Sequence, residues 1–80
     1  MDLQRISDAV NAAASEWAGF VHTGIEDAGF FGRGRVRFWS DFSDGSSEPV
    51  LWGEVDGEEC DVYAVAPDGG LGAFVRTVRI

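Results

Sequence analysis

In RGRVRFWSDFSDGSSEPVLWGEVD, residues 33–56, polar and apolar side chains alternate on both sides of the cluster Asp44-Gly45-Ser46-Ser47. A period of two marks a strand with one face buried, and Asp, Gly and Ser together are turn formers. The stretch reads as a β-hairpin. Further along, Asp56-Gly57 and Pro67-Asp68-Gly69-Gly70 repeat the turn chemistry. They divide the C-terminal part of the chain into four strands: Arg33 to Ser43, Val50 to Val55, Glu59 to Ala66, and Leu71 to Arg79. Connections this short force neighbouring strands to run antiparallel.

The N-terminal residues follow a different rhythm. Leu3, Ile6, Val10, Ala13 and Trp17 recur at intervals of three and four, the stripe of an amphipathic helix, with Asp2 placed to cap its start. Gly19 can end that helix, yet Phe20, Val21, Gly24 and Ala28 continue the spacing, so residues 20–32 read either as loop or as a second short helix or kinked extension through Asp27. The three glycines of Gly29 to Gly34 favour a loop there. The expected fold is α+β: a single domain, residues 1–80, with one N-terminal helix packed on a four-stranded antiparallel meander.

Register extends this reading, because a slip of one residue turns every side chain to the other face. Centring the first hairpin on residues 44–47 sets Trp39 opposite Trp52, Arg37 opposite Glu54, and Arg35 opposite Asp56. The next two pairings put Trp52 beside Tyr63, Tyr63 beside Phe74, Glu54 beside Asp61, and Asp61 beside Arg76. One face then carries Val36, Leu51, Val55, Cys60, Val62, Ala64, Ala66, Leu71, Ala73 and Val75, with Phe38 and Phe42, and suits the helix stripe. The opposite face carries a row of rings, Trp39, Trp52, Tyr63 and Phe74, beside Arg37, Glu54, Asp61 and Arg76. With one helix to cover two faces, the row is expected to be exposed and to act as an interaction surface. The competing reading is that Phe20, Phe30 and Phe31 fold over it.

Eighty residues with 45% hydrophobic content make one small core, which supplies about 5 kcal/mol at most. The single Cys allows no internal disulfide, so self-association is an open possibility. Neither a signal peptide nor a membrane span is expected from the polar N-terminus and the lack of a long apolar run. Fourteen acids against six bases, all Arg, give a net charge of −8. Eight of those acids, Asp41, Asp44, Glu48, Glu54, Asp56, Glu58, Glu59 and Asp61, fall in one stretch without a base, so that stretch carries the whole excess. Such a balance opposes attraction to nucleic acid or anionic membrane and favours a basic protein partner.

Catalytic and ligand motifs are poorly represented. His22 has no nucleophile in a recognisable setting near it. Cys60 falls on the inward face of its strand, as an apolar filler rather than a reactive thiol. The runs Asp41-x-x-Asp44-Gly-x-x-Glu48 and Asp56-Gly-Glu-Glu-x-Asp61 lack the alternating ligands of a calcium loop. Gly29-Phe-Phe-Gly-Arg-Gly34 has no P-loop Lys. No enzyme activity, cofactor or metal is expected. Arg33, Arg35 and Arg37 beside Trp39 could grip a single strand of nucleic acid, but the register pairs Arg35 and Arg37 with acids.

In size and charge over its whole length, the chain resembles the small acidic inhibitors of phages and mobile elements, notably anti-CRISPR proteins, some of which mimic DNA. The resemblance implies a cytoplasmic protein, acting in a bacterial host, that occludes a basic nucleic-acid-binding surface with Asp44, Glu48, Asp56, Glu58 and Glu59 in place of phosphates. Toxin-immunity proteins share the profile, and a homodimer closing the aromatic face on itself is the third reading.

Overall fold

Asp2 opens the helix as a cap: its carboxylate accepts the Arg5 N–H at 3.1 Å and its carbonyl accepts the Ile6 N–H at 3.2 Å. Helix α1, Leu3–Ala14, follows. The computed structural model describes residues 2–14, 24–29, 34–41 and 43–80. Within α1, Ile6 and Val10 are buried, with Leu3, Ala9 and Ala13 packed beside them, so the stripe read from spacing faces the core. Trp17, Phe20, Val21, His22, Phe30, Phe31, Arg33 and Phe42 lie outside the described residues.

Among the described residues five strands follow, one more than expected: β1 Gly24–Asp27, β2 Arg35–Asp41, β3 Ser47–Asp56, β4 Glu59–Val65 and β5 Leu71–Arg79. They form one antiparallel sheet in chain order, and the protein is α+β. The helical reading through Asp27 is overturned. Gly24–Asp27 is extended and pairs with β2, placing Ile25 opposite Phe38 and Glu26 opposite Arg37. The three- and four-residue spacing of Gly24 and Ala28 imitated a helix across a segment too short to show its own period of two.

The helix touches β1 and β5, the two outer strands. Its length of about 18 Å matches the width of about 19 Å for five strands, so it spans the sheet from edge to edge. Beneath it Val36, Phe38, Leu51, Cys60, Val62 and Val78 are buried with Ile6 and Val10. The expected inward face holds for β2, β3 and β4, but Ala73 and Val75 of β5 are exposed and Val78 is buried.

Bulges explain the differences. In the first hairpin Phe38 pairs with Leu51 but Trp39 pairs with Pro49, leaving Val50 as an extra residue. Pro49 has no N–H to give to a ladder, and a bulge is where a strand tolerates it. The ladder starts at Asp41 and Ser47, a turn placement that alone shifts the register by three residues, and the extra residue brings the shift back to two: Arg37 pairs with Trp52 and Arg35 with Glu54, Trp39 does not face Trp52, and both faces are preserved. Residues 43–46 are the described part of the turn. Asp44 holds it by accepting the Ser46 N–H at 2.9 Å and the Ser46 hydroxyl at 2.6 Å, which lowers the Asp44 pKa.

The second hairpin has the expected register, Trp52 with Tyr63 and Glu54 with Asp61. Gly57 takes φ +62° at the first position of its two-residue turn, where a type II′ turn requires it. In the third pair Tyr63 meets Phe74 as expected, but Val75 is an extra residue, so Asp61 faces Thr77 and Arg76 faces Val62. The expected Asp61–Arg76 pair does not form.

Gly53 sits on the core face between Val36 and Val62. A Cβ there would lie 2.8 Å from Cys60 Sγ, 2.9 Å from Val36 Cγ2 and 3.0 Å from Phe38 Cε2. The missing side chain is the space into which Phe38 packs. Gly53→Ala is expected to destabilise by about 1–3 kcal/mol through overpacking, a loss read directly from urea denaturation; unchanged stability would mean that the core yields at this point.

Candidate functional site: the outer face of the sheet

On the face turned from the helix, β1 and β2 bring Glu26, Arg37 and Trp39 together. The Glu26 carboxylate accepts from Arg37 Nε and pairs with Arg37 Nη2, and it accepts Trp39 Nε1–H at 2.9 Å. Held this way, the Arg37 guanidinium stands 4.9 Å from the Trp39 ring centroid and 5.3 Å from that of Trp52. Arg35 stands 5.9 Å from the same Trp52 ring and reaches Glu54 at 3.6 Å. Two arginines on alternate residues of β2 thus approach one indole, each with a carboxylate from a neighbouring strand.

This arrangement corrects the expected row of bare rings. Trp52 lies on the outer face but is only 4% exposed. Its Nε1–H donates to the Gly69 carbonyl at 3.1 Å, so the β4–β5 turn reaches over it. Trp39 and Tyr63 are half-buried. Phe74 alone among the four is open, at 57%, its ring edge-on to Tyr63 with centroids 5.6 Å apart. Sequence reading missed Glu26, because β1 was missed, and Gly69, because no pattern in a turn announces which carbonyl it offers.

The acid run does not form one surface. Asp41, Asp44 and Glu48 lie around the β2–β3 turn; Glu54, Asp56, Glu58, Glu59 and Asp61 gather around the β3–β4 turn at the other end of β3. Along β3 their nearest members, Glu48 and Glu54, are about 20 Å apart. Asp41 and Asp44 are occupied in accepting from Ser47 and Ser46. At the other end, Glu54, Asp56, Asp61 and Tyr63 line a groove of about 450 Å³, with Val55 and Gly57. Glu54 and Asp61 are direct cross-strand partners, a like-charge pair that costs stability. Thr77 donates its hydroxyl to Asp61 at 2.6 Å. Arg79 comes within 3.9 Å of Glu58, but both are largely solvated, so this pair contributes little.

No protein-family model, curated protein or solved structure matches the chain. The chemistry of the face has to be read from its own residues. Among the described residues no three His, Cys, Asp or Glu side chains converge to hold a metal ion, and no helix is long and apolar enough to cross a membrane. Arg35 and Arg37, the candidates for gripping a nucleic-acid strand, are directed to carboxylates and indoles of this chain.

Cys60 is fully buried, and burial, reinforced by the Asp61 charge, pushes its pKa up from 9.0 to about 12. A raised pKa means that the unfolded chain loses this proton first. The contribution of Cys60 to stability is therefore complete below pH 9 and declines as pH rises toward 12. The thiol is expected to resist Ellman's reagent at pH 8 until the protein is denatured, and rapid labelling of the native protein would contradict its burial. Glu26→Gln keeps an acceptor but removes the charge that holds Arg37. It is expected to lower amide protection in β1 about fivefold, corresponding to about 1 kcal/mol, while Leu51 and Val62 in the central strands are unaffected, as hydrogen exchange by NMR can show.

Proposed function

We propose that the protein is an acidic binding module that docks a basic protein surface on the β3–β4 end of its outer face. The observation that carries this reading is the Glu54–Asp61 pair, two acidic residues that are direct cross-strand partners and line a groove with Asp56. Arg35 offsets only the Glu54 side of the pair, at 3.6 Å. A cationic side chain from a partner would relieve the repulsion that the free protein carries, so the same geometry that weakens the fold would strengthen the complex. Glu58 and Glu59 on the adjoining turn extend the negative potential, and exposed Phe74 beside Tyr63 supplies apolar contact at the neighbouring strand.

In its most specific form, as the resemblance to anti-CRISPR proteins implies, the partner is a nucleic-acid-binding protein and the module occupies its phosphate-binding surface. The acids toward the two ends of β3, about 20–30 Å apart, would then engage separate parts of that surface. A second copy of the chain is the alternative occupant, favoured by the exposure of Phe74 and of Val75, at 38%.

Asp61→Asn tests the carrying observation, because stability and affinity should move in opposite directions. The variant keeps an acceptor for Thr77 and removes the repulsion, so it is expected to be more stable by about 0.5 kcal/mol. Against purified nucleic-acid-binding proteins with basic surfaces, measured by interferometry, it should bind more weakly than wild type. The double change Glu58→Lys, Glu59→Lys should weaken binding at least tenfold with little change in melting temperature. A partner that binds wild type and both variants equally would overturn the reading. Sedimentation at several concentrations would reveal self-association instead, and disruption of that association by Phe74→Ser would favour the second copy.

A further inference from the structure

Between the first turn of α1 and the β3–β4 turn lies a cavity of about 390 Å³, a volume that suits a small organic molecule. Ile6, Val55 and Ile80 give it an apolar lining, and each belongs to the core or packs against it. Backbone geometry keeps the space clear. Gly34 and Gly57 also line it, at φ +73° and +62°, where a side chain is strained, and at Gly34 a Cβ would lie 2.4 Å from the Val55 carbonyl oxygen. The walls are tied to one another, since Val55 N–H donates to the Gly34 carbonyl and Ile80 N–H to the Glu58 carbonyl, both at 2.8 Å. The cavity is thus preformed, which spares a ligand the cost of ordering it. Asp2 and Arg5 complete the lining, and both are exposed. Asp2 caps the helix through Oδ1, and its Oδ2 has no partner among the described residues. Arg5 differs from the other described arginines. Arg35, Arg37 and Arg79 reach carboxylates and Arg76 is engaged, whereas the Arg5 guanidinium has no hydrogen bond, ion pair or ring contact among the described residues. An apolar cavity therefore carries one unengaged group of each sign.

We propose that this cavity binds a free α-amino acid with a bulky apolar side chain. The ligand's carboxylate meets the Arg5 guanidinium, its ammonium meets Asp2, and its side chain enters among Ile6, Val55 and Ile80. The guanidinium fork matches a carboxylate through two parallel hydrogen bonds. An apolar molecule with an anionic head alone would be opposed by Asp2, and one with a cationic head alone by Arg5, so the mixed pair of charges selects the zwitterion. Glu54, Asp61 and Tyr63 of the acidic groove take no part in the lining. The site is therefore distinct from the docking surface, and it stands or falls independently of that reading.

The test is an NMR titration of the full chain with L-phenylalanine, set against phenylacetate, phenethylamine and glycine, which carry the anionic head, the cationic head and the zwitterion without the ring. L-Phenylalanine is expected to shift the Ile6, Gly34, Val55 and Ile80 amides saturably, with a Kd of about 1 mM, ordinary for a ligand of its size. Amides of the outer-face residues Glu26 and Trp39 should stay in place. The three comparison molecules should each bind at least about fivefold more weakly, and Arg5→Gln, which keeps a good helix former, should weaken L-phenylalanine by a similar factor. Absence of a saturable shift at these amides, equal binding of phenylacetate or phenethylamine, or an unchanged Kd in Arg5→Gln would overturn the site. If Arg5→Gln does not fold, the comparison of the four molecules on the wild type decides alone.

Discussion

The outer half of this protein is organised by two guanidinium groups approaching one indole. Arg37 stands between Trp39 and Trp52, and Arg35 reaches Trp52 from the next outward-facing position of β2. Glu26 on β1 orients Arg37, Glu54 on β3 meets Arg35, and the β4–β5 turn supplies a carbonyl to the Trp52 nitrogen. Four separate pieces of chain are connected through one side chain. Each contact is modest, since a cation over a ring contributes about 0.5–2 kcal/mol depending on desolvation. In a domain this small, a few such contacts are comparable with the whole stability margin. The short β1 strand depends on them most, because Glu26 is its polar tie to the sheet and Ile25 its apolar one.

This construction also determines where negative charge is available. Arg35 and Arg37 are the bases nearest the centre of the outer face, and both are directed toward carboxylates of this chain. Their charge is locally balanced. What remains toward the β3–β4 turn is Asp56, Glu58, Glu59 and Asp61, with Arg79 solvated at the margin. The net −8 of the chain is therefore felt at the ends of the sheet, away from its centre. Electrostatic steering of a basic partner would act on those ends first, while apolar contact comes from Phe74 on the edge strand.

Much of the architecture was legible because it depends on local periodicity and turn chemistry. Asp2, Ile6 and Val10 announce the capped helix and its buried stripe, and Asp56-Gly57 sets a hairpin whose tight turn leaves one possible register. Longer turns left freedom that sequence alternation could not remove. Pro49 carried a usable signal, since a residue without an N–H marks the place where the ladder breaks, and the bulge beside it keeps both faces as expected although the turn falls earlier than residues 44–47. Val75 carried none: a β-branched apolar residue in a strand reads as core whether or not a bulge turns it outward. Gly24–Asp27 was too short to establish a period against the helical spacing around it. The exposure of the aromatic row failed for a different reason, because Arg35, Arg37 and Gly69 all meet Trp52, and these are groups that a hydropathy pattern treats as solvent-facing.

That last point bears on the use of arginine for every base in the chain. Among the described residues the outer face has no second layer of structure, and its rings are met by groups that also tolerate water. A guanidinium can do both: its flat, weakly hydrated plane lies over an indole while its edge donates to a carboxylate, as Arg37 does with Trp39 and Glu26. A lysine ammonium, compact and strongly hydrated, cannot offer a plane to the ring and a fork to the acid at once. Replacing either arginine by lysine would preserve the net charge yet remove the cover. The arginines of β2 are therefore part of the packing of this fold, and the negative character of the surface follows from where their charge is spent.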